Sequence, residues 1–253
     1  MRFEGKVVIV TGAGSGIGEA AARRFSLEGA AVVLVGDHRN NVEAVAKAFP
    51  RERTLVRRAD VSKLGDMEDT VAAAVRKFGA LHVMVNNAGI FAGSTVTKTK
   101  PKEWERVIAV NLGGVFNGSR AALPQLLKTR GCIVNTASVS GLGGDWATSA
   151  YNASKGGVVN LTRSMALDYG REGVRVNAVC PSFTLTNMTR DMAKSKRLVN
   201  KFMERMPMAR VMMPDDIAGV IAFLASDDAR MVNGVNLPVD GGLMASNGQP
   251  DMG

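Results

Sequence analysis

The sequence predicts an α/β protein with a doubly wound, seven-stranded parallel sheet and helices on both faces. Short runs of β-branched residues alternate along the whole chain with longer segments in which apolar residues recur every three or four positions. The short runs are apolar almost throughout, which is typical of parallel strands buried on both faces and joined by right-handed crossovers. The candidate strands are residues 6–12, 30–36, 53–60, 82–89, 132–138, 174–181 and 234–242.

The helices between these strands are predicted from spacing and from their ends. Residues 17–29 (IGEAAARRFSLEG) and 66–79 (DMEDTVAAAVRKFG) each carry an apolar stripe and close on a glycine, and another helix starts near Pro214. Residues 186–213, rich in Met and Lys, interrupt the alternation. We expect one or two short helices that cover a cleft there, with a plain surface insertion as the alternative.

Length and composition predict one soluble domain over residues 1–253. The chain is 46% hydrophobic, long enough to bury a large core, and carries no Pro/Ser-rich linker. No apolar run approaches the roughly 20 residues that span a bilayer, and the N-terminus turns polar too soon for a signal peptide. We therefore expect a cytoplasmic protein without a membrane partner.

The basic balance of the chain does not predict a nucleic-acid partner. The net charge is +9, from 32 basic and 23 acidic residues, but the basic residues are spread out and no aromatic residues interleave with them to stack bases. A solvated positive surface that helps to attract an anionic cofactor is the preferred interpretation.

The cysteines and histidines predict no metal site. Cys132 and Cys180 both lie in apolar runs, where reduced core thiols are expected. His38 and His82 are the only histidines, so a site built from His and Cys has almost no ligands.

A glycine-rich turn follows the first predicted strand. Gly12, Gly16 and Gly18 stand between that strand and the first helix. Glycine allows a sharp turn there and lets backbone N–H groups approach a pyrophosphate at the positive N-terminus of the helix. A tight turn without function is the alternative, but the position after the first strand favours a dinucleotide site.

An acidic residue follows the second predicted strand. Asp37 lies 19 positions after Gly18, where a carboxylate can bond the adenosine ribose hydroxyls and repel a 2′-phosphate. The sequence therefore predicts NAD rather than NADP. Arg39 complicates this choice because a guanidinium would accept the phosphate, and a turn or helix N-cap is the structural alternative for Asp37.

The chain resembles the short-chain dehydrogenase/reductase family over essentially its whole length. The resemblance is carried, in order and spacing, by TGAGSGIG (11–18), NNAG (86–89), Asn111, Ser138, YNASK (151–155), CPSFTLTNM (180–188) and VDGG (239–242). It implies a single-domain Rossmann fold and a nicotinamide-dependent oxidoreductase. Two positions depart from the family pattern. Ser182 stands where a glycine is common. The acid that usually ends the second strand is replaced by Gly36, and Asp37 comes one position later.

The resemblance implies a set of catalytic residues. Ser138, Tyr151 and Lys155 match the catalytic serine, tyrosine and lysine, and Asn111 matches the asparagine that holds a water in the proton relay. An unperturbed phenol titrates near pH 10, roughly. Lys155, one helical turn after Tyr151, is expected to lower the pKa of the phenol together with the positive charge of the oxidised nicotinamide, and to bond the nicotinamide ribose. Ser138 would donate to the substrate oxygen. The structural alternatives are a strand-end turn for Ser138, a capping amide for Asn111 and a solvated cation for Lys155.

The same resemblance implies the cofactor contacts. Asp60 and Val61 would flank the adenine, Asn87 and Gly89 would meet the cofactor after the fourth strand, and Thr186 with the backbone near Phe183 would contact the carboxamide. The full predicted set is Gly12, Ser15, Gly16, Ile17, Gly18, Asp37, Asp60, Val61, Asn87, Gly89, Tyr151, Lys155, Pro181, Phe183 and Thr186.

The predicted substrate pocket is small and polar. It comprises Ser140, Asp145, Trp146 and Phe183, and the carboxylate of Asp145 suits a small polar ketone or diol, although a turn before the next helix is an equal alternative. Residues 130–146 and 233–250 are most similar to family members that act on 2,3-butanediol and acetoin.

These features predict an NAD-dependent dehydrogenase of a small secondary alcohol or vicinal diol. A 3-oxoacyl carrier-protein reductase and a sugar dehydrogenase are the alternatives on the same scaffold, and the basic surface would suit an acidic carrier protein. A non-catalytic NAD-sensing module is disfavoured, because it needs no proton relay. The resemblance also implies a homotetramer formed through helices around residues 101–127 and 152–170 and through the last strand.

Overall fold

Seven parallel strands form one sheet in the order β3-β2-β1-β4-β5-β6-β7 in the computed structural model, which describes residues 1–249. The strands are β1 (Val7–Thr11), β2 (Ala31–Gly36), β3 (Thr54–Arg58), β4 (Val83–Asn86), β5 (Cys132–Thr136), β6 (Arg175–Pro181) and β7 (Asn236–Val239). Each lies within a predicted run, so the predicted sheet is confirmed. Residues 250–253, the end of the predicted domain and of the similar segment 233–250, lie outside the described residues.

The helices cover both faces of this sheet. They are α1 (Gly16–Leu27), α2 (Arg39–Ala46), α3 (Leu64–Phe78), α4 (Pro101–Ile108), α5 (Gly114–Thr129), α6 (Ser149–Tyr169), α7 (Arg190–Ala193), α8 (Lys196–Arg205) and α9 (Pro214–Ala225). The predicted ends are confirmed: α9 begins at Pro214, and Gly29 and Gly79 follow α1 and α3 with φ of +100° and +84°, which glycine adopts without strain. None of the helices in residues 1–249 is long and apolar enough to cross a membrane.

The inner strands β1, β2, β4, β5 and β6 are buried on both faces, since side chains alternate along each strand and each face is covered by helices. In β1, Val8 and Val10 pack against the layer of α1 and α9, whereas Val7 and Ile9 face the layer of α3, α5 and α6. The chain runs outward through β2 and β3 and then returns to β4 beside β1. This reversal opens a crevice at the C-terminal ends of β1 and β4, the place where open α/β sheets bind ligands.

A buried polar network ties the middle of the sheet to two helices. The Asn86 side-chain amide donates to Ser119 Oγ and to Asn135 Oδ1, both at 3.0 Å, and Asn135 Nδ2 donates to Thr162 Oγ1 at 2.9 Å. All four residues are buried. Buried polar groups are costly unless bonded, so this network fixes how α5 and α6 sit on β4 and β5, beneath the site described below.

The interrupting segment 186–213 contains two short helices, α7 and α8, as predicted. Phe202 of α8 stacks on Phe183, with ring centroids 4.8 Å apart and ring planes 14° apart. The part of the segment that reaches the crevice is the loop before α7, residues 186–189. The segment is thus anchored by packing on the end of β6 and contacts the crevice through its first residues.

Candidate active site

A cleft of about 940 Å³ lies at the C-terminal end of the sheet. A volume of this order accommodates a ligand of dinucleotide size. Thirteen of the predicted cofactor residues line it: Gly12, Ser15, Gly16, Ile17, Asp37, Asp60, Val61, Asn87, Gly89, Tyr151, Lys155, Pro181 and Thr186. Gly18 and Phe183 are absent from this lining.

The turn between β1 and α1 has the backbone that the glycines predict. Gly12 and Gly16 have φ of +67° and +57°, and a Cβ at Gly12 would stand 3.0 Å from the backbone of Ala88. Residues with side chains rarely adopt this conformation. The N-terminus of α1 is therefore left open toward the cleft, where its N–H groups can receive an anion.

Gly18 acts in packing rather than in lining the cleft. A Cβ at this position would lie 2.3 Å from the Gly12 carbonyl oxygen and 2.5 Å from Asn87 Nδ2. The absence of a side chain lets the first turn of α1 press against the loops after β1 and β4. Gly18 thus has a packing role, and its predicted contact with the cofactor stays a prediction.

Thr11, the last residue of β1, was not predicted as part of the site. Its hydroxyl donates to the Val85 carbonyl at 3.3 Å and accepts from the backbone N–H groups of Asn87 and Ala88 at 2.9 and 3.0 Å. The Asn87 amide in turn donates to the Thr11 carbonyl at 3.0 Å. These bonds hold the loop after β4 beside the phosphate turn. The sequence signal for Thr11 is a hydroxyl side chain at the end of a buried strand.

The end of the cleft that is predicted to bind adenosine differs from the prediction in one basic residue. Asp37 lines the cleft and its side chain is 73% exposed. Arg39 lies in α2 and pairs with Glu43, Nε to Oε1, at 2.7 Å, and it does not line the cleft. Arg58 lines the cleft, because it ends β3 opposite Gly36. Its Nε donates to the Asp37 carbonyl at 3.3 Å. The cation beside Asp37 is thus Arg58.

Asp60 and Val61 form a rigid edge of the cleft. Asp60 Oδ1 accepts from the backbone N–H of Ser62 at 3.0 Å and from its hydroxyl at 2.7 Å, and this hydrogen bonding lowers the pKa of Asp60. The Val61 carbonyl accepts from Asn117 Nδ2 at 2.9 Å. The carboxylate of Asp60 is hydrogen-bonded within its own turn, and Val61 provides the apolar surface at this edge.

The structure brings Ser138, Tyr151 and Lys155 together at the inner end of the cleft. Tyr151 is in the first turn of α6, and its ring meets the Phe91 ring edge-on with centroids 5.2 Å apart. Lys155 follows one turn later, with Nζ 5.7 Å from the centroid of the Tyr151 ring. Its ammonium donates to the Thr136 carbonyl at 2.7 Å.

The pKa values at this end of the cleft are governed by burial. Burial raises the pKa of Tyr151 to about 12; a hydrogen bond with Ser138 opposes this rise, and the charge of Asp145 adds to it. Burial lowers the pKa of Lys155 to about 8. In the chain itself the Lys155 ammonium is directed to Thr136 and loss of solvation dominates the phenol pKa. The predicted lowering of that pKa by Lys155 together with the oxidised nicotinamide stays a prediction.

Asn111 lies in a five-residue π-helical segment, Ala109–Gly113, that joins α4 to α5. Such segments are frequent at functional sites. Asn111 Nδ2 donates to the Ile90 carbonyl at 2.9 Å and to Ser154 Oγ at 3.1 Å, and Oδ1 accepts from the Ile90 N–H at 2.8 Å. The side chain thus clamps the loop after β4 onto α6. Its predicted part in holding a relay water stays a prediction.

None of the four predicted substrate residues lines the cleft. Trp146 is 97% exposed, on the turn that precedes α6, and Phe183 is 4% exposed and packs on Phe202 of the interrupting segment. Phe183 is buried by stacking on Phe202 and does not line the cleft. Ser140 and Asp145 are instead hydrogen-bonded to each other, and Ser140 contacts Ser138.

Comparison with known proteins identifies the family. A family model described as Enoyl-(Acyl carrier protein) reductase matches residues 12–244. The chain is 52% identical over 250 residues to meso-2,3-butanediol dehydrogenase of Serratia marcescens, covering 99% of each protein. The chain belongs to the short-chain dehydrogenase/reductase family. It is an oxidoreductase, and members of this family use NAD or NADP.

Other members of the short-chain dehydrogenase/reductase family are also similar. The 3-oxoacyl-acyl-carrier-protein reductase of Thermotoga maritima is 38% identical over 250 residues, which cover 96% of this chain and all of that one. The crystal structure of 3-ketoacyl-(acyl-carrier-protein) reductase from Brucella melitensis complexed with NADH superposes with a TM-score of 0.88, at 36% identity, covering 95% of this chain and 99% of that one.

Ser182, where short-chain dehydrogenases/reductases often have glycine, supports a polar ligand in the cleft. It lines the cleft beside Pro181, and its hydroxyl oxygen is buried without a hydrogen-bond partner in the described part of the chain. A buried hydroxyl without a partner is costly. The Ser182 hydroxyl can donate and accept a hydrogen bond, and together with the open N-terminus of α1 it fits a nicotinamide dinucleotide. Gly12, Gly16 and Lys155 would also hold this cofactor.

The remaining titratable core groups show no metal site. Across residues 1–249, no group of three or more His, Cys, Asp or Glu is placed to hold a metal ion. Cys132 and Cys180 are free and buried, and burial raises the pKa of each thiol to about 11. His82 Nδ1 accepts from the Val7 N–H at 3.0 Å, so this imidazole joins the N-terminal ends of the adjacent strands β1 and β4.

Proposed function

We propose that the chain interconverts a small secondary alcohol or vicinal diol, of the 2,3-butanediol type, and its ketone, of the acetoin type, with NAD(H). The observation that carries this proposal is the meeting of Ser138, Tyr151 and Lys155 at the inner end of a cleft whose outer part has a phosphate turn. The 52% identity to a protein named meso-2,3-butanediol dehydrogenase supports the substrate class.

The chemistry follows from the three side chains. A nicotinamide bound beside them supplies the hydride donor or acceptor. Ser138 donates a hydrogen bond to the substrate oxygen, where negative charge develops. Tyr151 gives its phenolic proton to that oxygen in ketone reduction and accepts the alcohol proton in oxidation. Lys155, fixed by Thr136, places a cation beside both groups.

The resting protonation state favours the reductive direction at neutral pH. With its pKa raised to about 12 by burial, the Tyr151 phenol keeps its proton and is ready to donate it. Oxidation needs the phenolate, so its rate should rise as the pH increases toward that value. Reduction should lose rate over the same range.

The preference for a small diol or hydroxyketone rests on Asp145 and its surroundings. Gly143 and Gly144 precede it, and a Cβ at Gly144 would meet nothing within 4 Å, so this stretch adds no bulk. Asp145 does not line the cleft and accepts from Ser140, so its negative charge acts on the serine end of the cleft without contacting the substrate. A charged acid substrate would be repelled there.

We propose NAD as the cofactor. The carboxylate of Asp37 in the cleft wall supports this choice, since it bonds ribose hydroxyls and repels a 2′-phosphate. The guanidinium of Arg58 attracts a 2′-phosphate, so we expect a lower but measurable activity with NADP. The NADH complex of the Brucella melitensis relative is a property of that protein and is consistent with this choice.

A second candidate is reduction of a 3-oxoacyl group on a carrier protein. The net charge of +9 suits an acidic carrier, and the Thermotoga maritima relative bears that activity in its name. This candidate is second because its relative is 38% identical and the diol relative is 52% identical.

The absorbance of reduced nicotinamide tests both candidates. The purified chain is assayed with NAD(H) and NADP(H) against meso-2,3-butanediol, acetoin, sugars and a 3-oxoacyl thioester. We expect the diol and acetoin to give the highest kcat/KM, with NAD preferred over NADP by about tenfold, equivalent to about 1.4 kcal/mol. Faster turnover of the thioester would establish the second candidate, and faster turnover of a sugar would refute both.

A homotetramer is also proposed, from large apolar side chains exposed on the helices. Trp104 of α4 is 43% exposed, Phe116 of α5 is 48% exposed and Leu167 of α6 is 82% exposed. Such side chains on adjacent helices suit a second copy of the chain. Light scattering should give four times the mass of the chain. The predicted small-molecule partner, the lack of a nucleic-acid partner and the cytoplasmic location stay predictions.

A further inference from the structure

A chain of hydrogen bonds leads from the catalytic serine to a carboxylate outside the cleft. Ser138 Oγ donates to Ser140 Oγ at 3.1 Å and accepts from the Ser140 backbone N–H at 3.2 Å. The Ser140 hydroxyl donates to Asp145 Oδ2. Ser138 and Ser140 are 7% and 6% exposed, so water does not compete for these bonds.

The carboxylate fixes the direction of each proton in this chain. Ionised Asp145 can only accept a hydrogen bond, so the single proton of Ser140 is committed to it. The Ser140 oxygen then presents its lone pairs to Ser138. Ser138 therefore rests as a donor, which is the role the proposed function requires of it when a substrate oxygen arrives.

Asp145 is also held in place relative to the phenol. Its backbone carbonyl accepts from Asn152 Nδ2 at 2.9 Å, and Asn152 is next to Tyr151 in the first turn of α6. The Thr148 hydroxyl, just before that helix, lies 3.3 Å from the same carbonyl. The turn carrying the carboxylate and the turn carrying the phenol thus form one hydrogen-bonded unit.

We propose that Asp145 is a positioning residue: through Ser140 it orients the Ser138 hydroxyl, and its negative charge sets the pH at which Tyr151 exchanges its proton. The proposal rests on the proposed function in taking Tyr151 as the acid and base. It adds a pair of residues outside the cleft that governs the two reacting groups.

The charges around the phenol agree with this assignment. Lys155 faces the Tyr151 ring from the next turn of α6. The Asp145 charge acts on the phenol from the loop that precedes α6. Cys180 of β6 faces Lys155, and its thiol is neutral because burial raises its pKa to about 11. Asp145 is therefore the negative charge that raises the pKa of Tyr151 in addition to burial, so removing it should lower that pKa.

Two variants separate the charge from the hydrogen bond. Asp145→Asn removes the charge but keeps an oxygen that accepts from Ser140. Ser140→Ala keeps the charge but removes the link to Ser138. Asp69→Asn, an exposed residue of α3, is the control for loss of one negative charge.

We expect Asp145→Asn to move the midpoint of the pH profile for diol oxidation to lower pH by roughly half to one unit. Ser140→Ala should lower kcat by about fivefold with an unchanged NAD Kd, the effect of losing one hydrogen bond of about 1 kcal/mol. Asp69→Asn should match the unmodified protein. Superimposable pH profiles for Asp145→Asn and Asp69→Asn, or an unchanged kcat in Ser140→Ala, would overturn the proposal.

A titration without substrate distinguishes failure of this proposal from failure of the proposed function. The chain has two tyrosines, so in a Tyr169→Phe background the ultraviolet absorbance of tyrosinate reports Tyr151 alone. Asp145→Asn in that background should titrate at lower pH even if the true substrate is another alcohol. An unshifted titration would refute the charge effect, whichever substrate the enzyme turns over.

Discussion

Replacing Tyr151 with phenylalanine is expected to lower kcat by a factor of about a hundred to ten thousand, the usual contribution of a general acid or base. Phenylalanine keeps the ring and its edge-on contact with Phe91, so the pocket should retain its shape. The variant loses only the hydroxyl that exchanges the proton. Steady-state absorbance of reduced nicotinamide gives kcat, and calorimetric titration gives the NAD Kd, which should change by no more than about twofold because the hydroxyl is one contact among many.

The other tyrosine provides the matched control for this substitution. Tyr169, at the end of α6, packs in the core layer of α3 and α5 and does not line the cleft. Tyr169→Phe should retain nearly full turnover. Equal turnover of Tyr151→Phe and Tyr169→Phe would show that the phenol of Tyr151 is not the proton-exchanging group.

Replacing Gly18 with alanine is expected to weaken NAD binding at least tenfold and to lower Tm by several degrees. The added Cβ would stand 2.3 Å from the Gly12 carbonyl oxygen, which is backbone and cannot rotate away. Overpacking of this kind costs about 1–3 kcal/mol, and relief of the clash moves the N-terminus of α1 away from the phosphate turn. Calorimetric titration with NAD and thermal unfolding measure the two effects.

Gly65 provides the control for the alanine substitution. It also lies in the first turn of a helix, α3, but a Cβ there would meet nothing within 4 Å. Gly65→Ala should leave NAD binding unchanged and raise stability by up to about 1 kcal/mol, because alanine favours the helix. If Gly18→Ala bound NAD as tightly as Gly65→Ala, the close packing at Gly18 would have no part in cofactor binding.

Much of the fold follows from local sequence patterns. The strands β1, β2, β4, β5 and β6 are apolar runs that are buried on both faces. The glycines after α1 and α3 mark helix ends that require a positive φ. The gathering of Ser138, Tyr151 and Lys155 follows from their places at the end of a strand and on one face of a helix. Each of these features depends on a few neighbouring residues, so the sequence carries it directly.

The features that the sequence did not predict depend on contacts between distant segments. Arg58 rather than Arg39 stands beside Asp37 because the register of β2 and β3 pairs Gly36 with Arg58. Phe183 is buried outside the cleft lining because Phe202, in the interrupting segment, gives it an aromatic surface. No spacing within the chain specifies either contact.

The pKa values of Tyr151 and Lys155 also depend on contacts between distant segments. The spacing of Tyr151 and Lys155 does not show that burial raises the pKa of the phenol to about 12 in the chain itself. The Lys155 ammonium has its own acceptor in the Thr136 carbonyl, a partner on a neighbouring strand. Electrostatic effects depend on solvent access and on side-chain direction, both of which are set by the complete fold.

The central claim, hydride transfer between a small secondary alcohol and NAD, is tested most directly with meso-2,3-butanediol deuterated at its carbinol carbons. Mass spectrometry of the reduced cofactor should show one deuterium transferred for each acetoin formed, and Tyr151→Phe should form almost none. Acetoin accumulating with unlabelled reduced cofactor would contradict the claim, and so would a chain that binds NAD yet oxidises none of the alcohols offered.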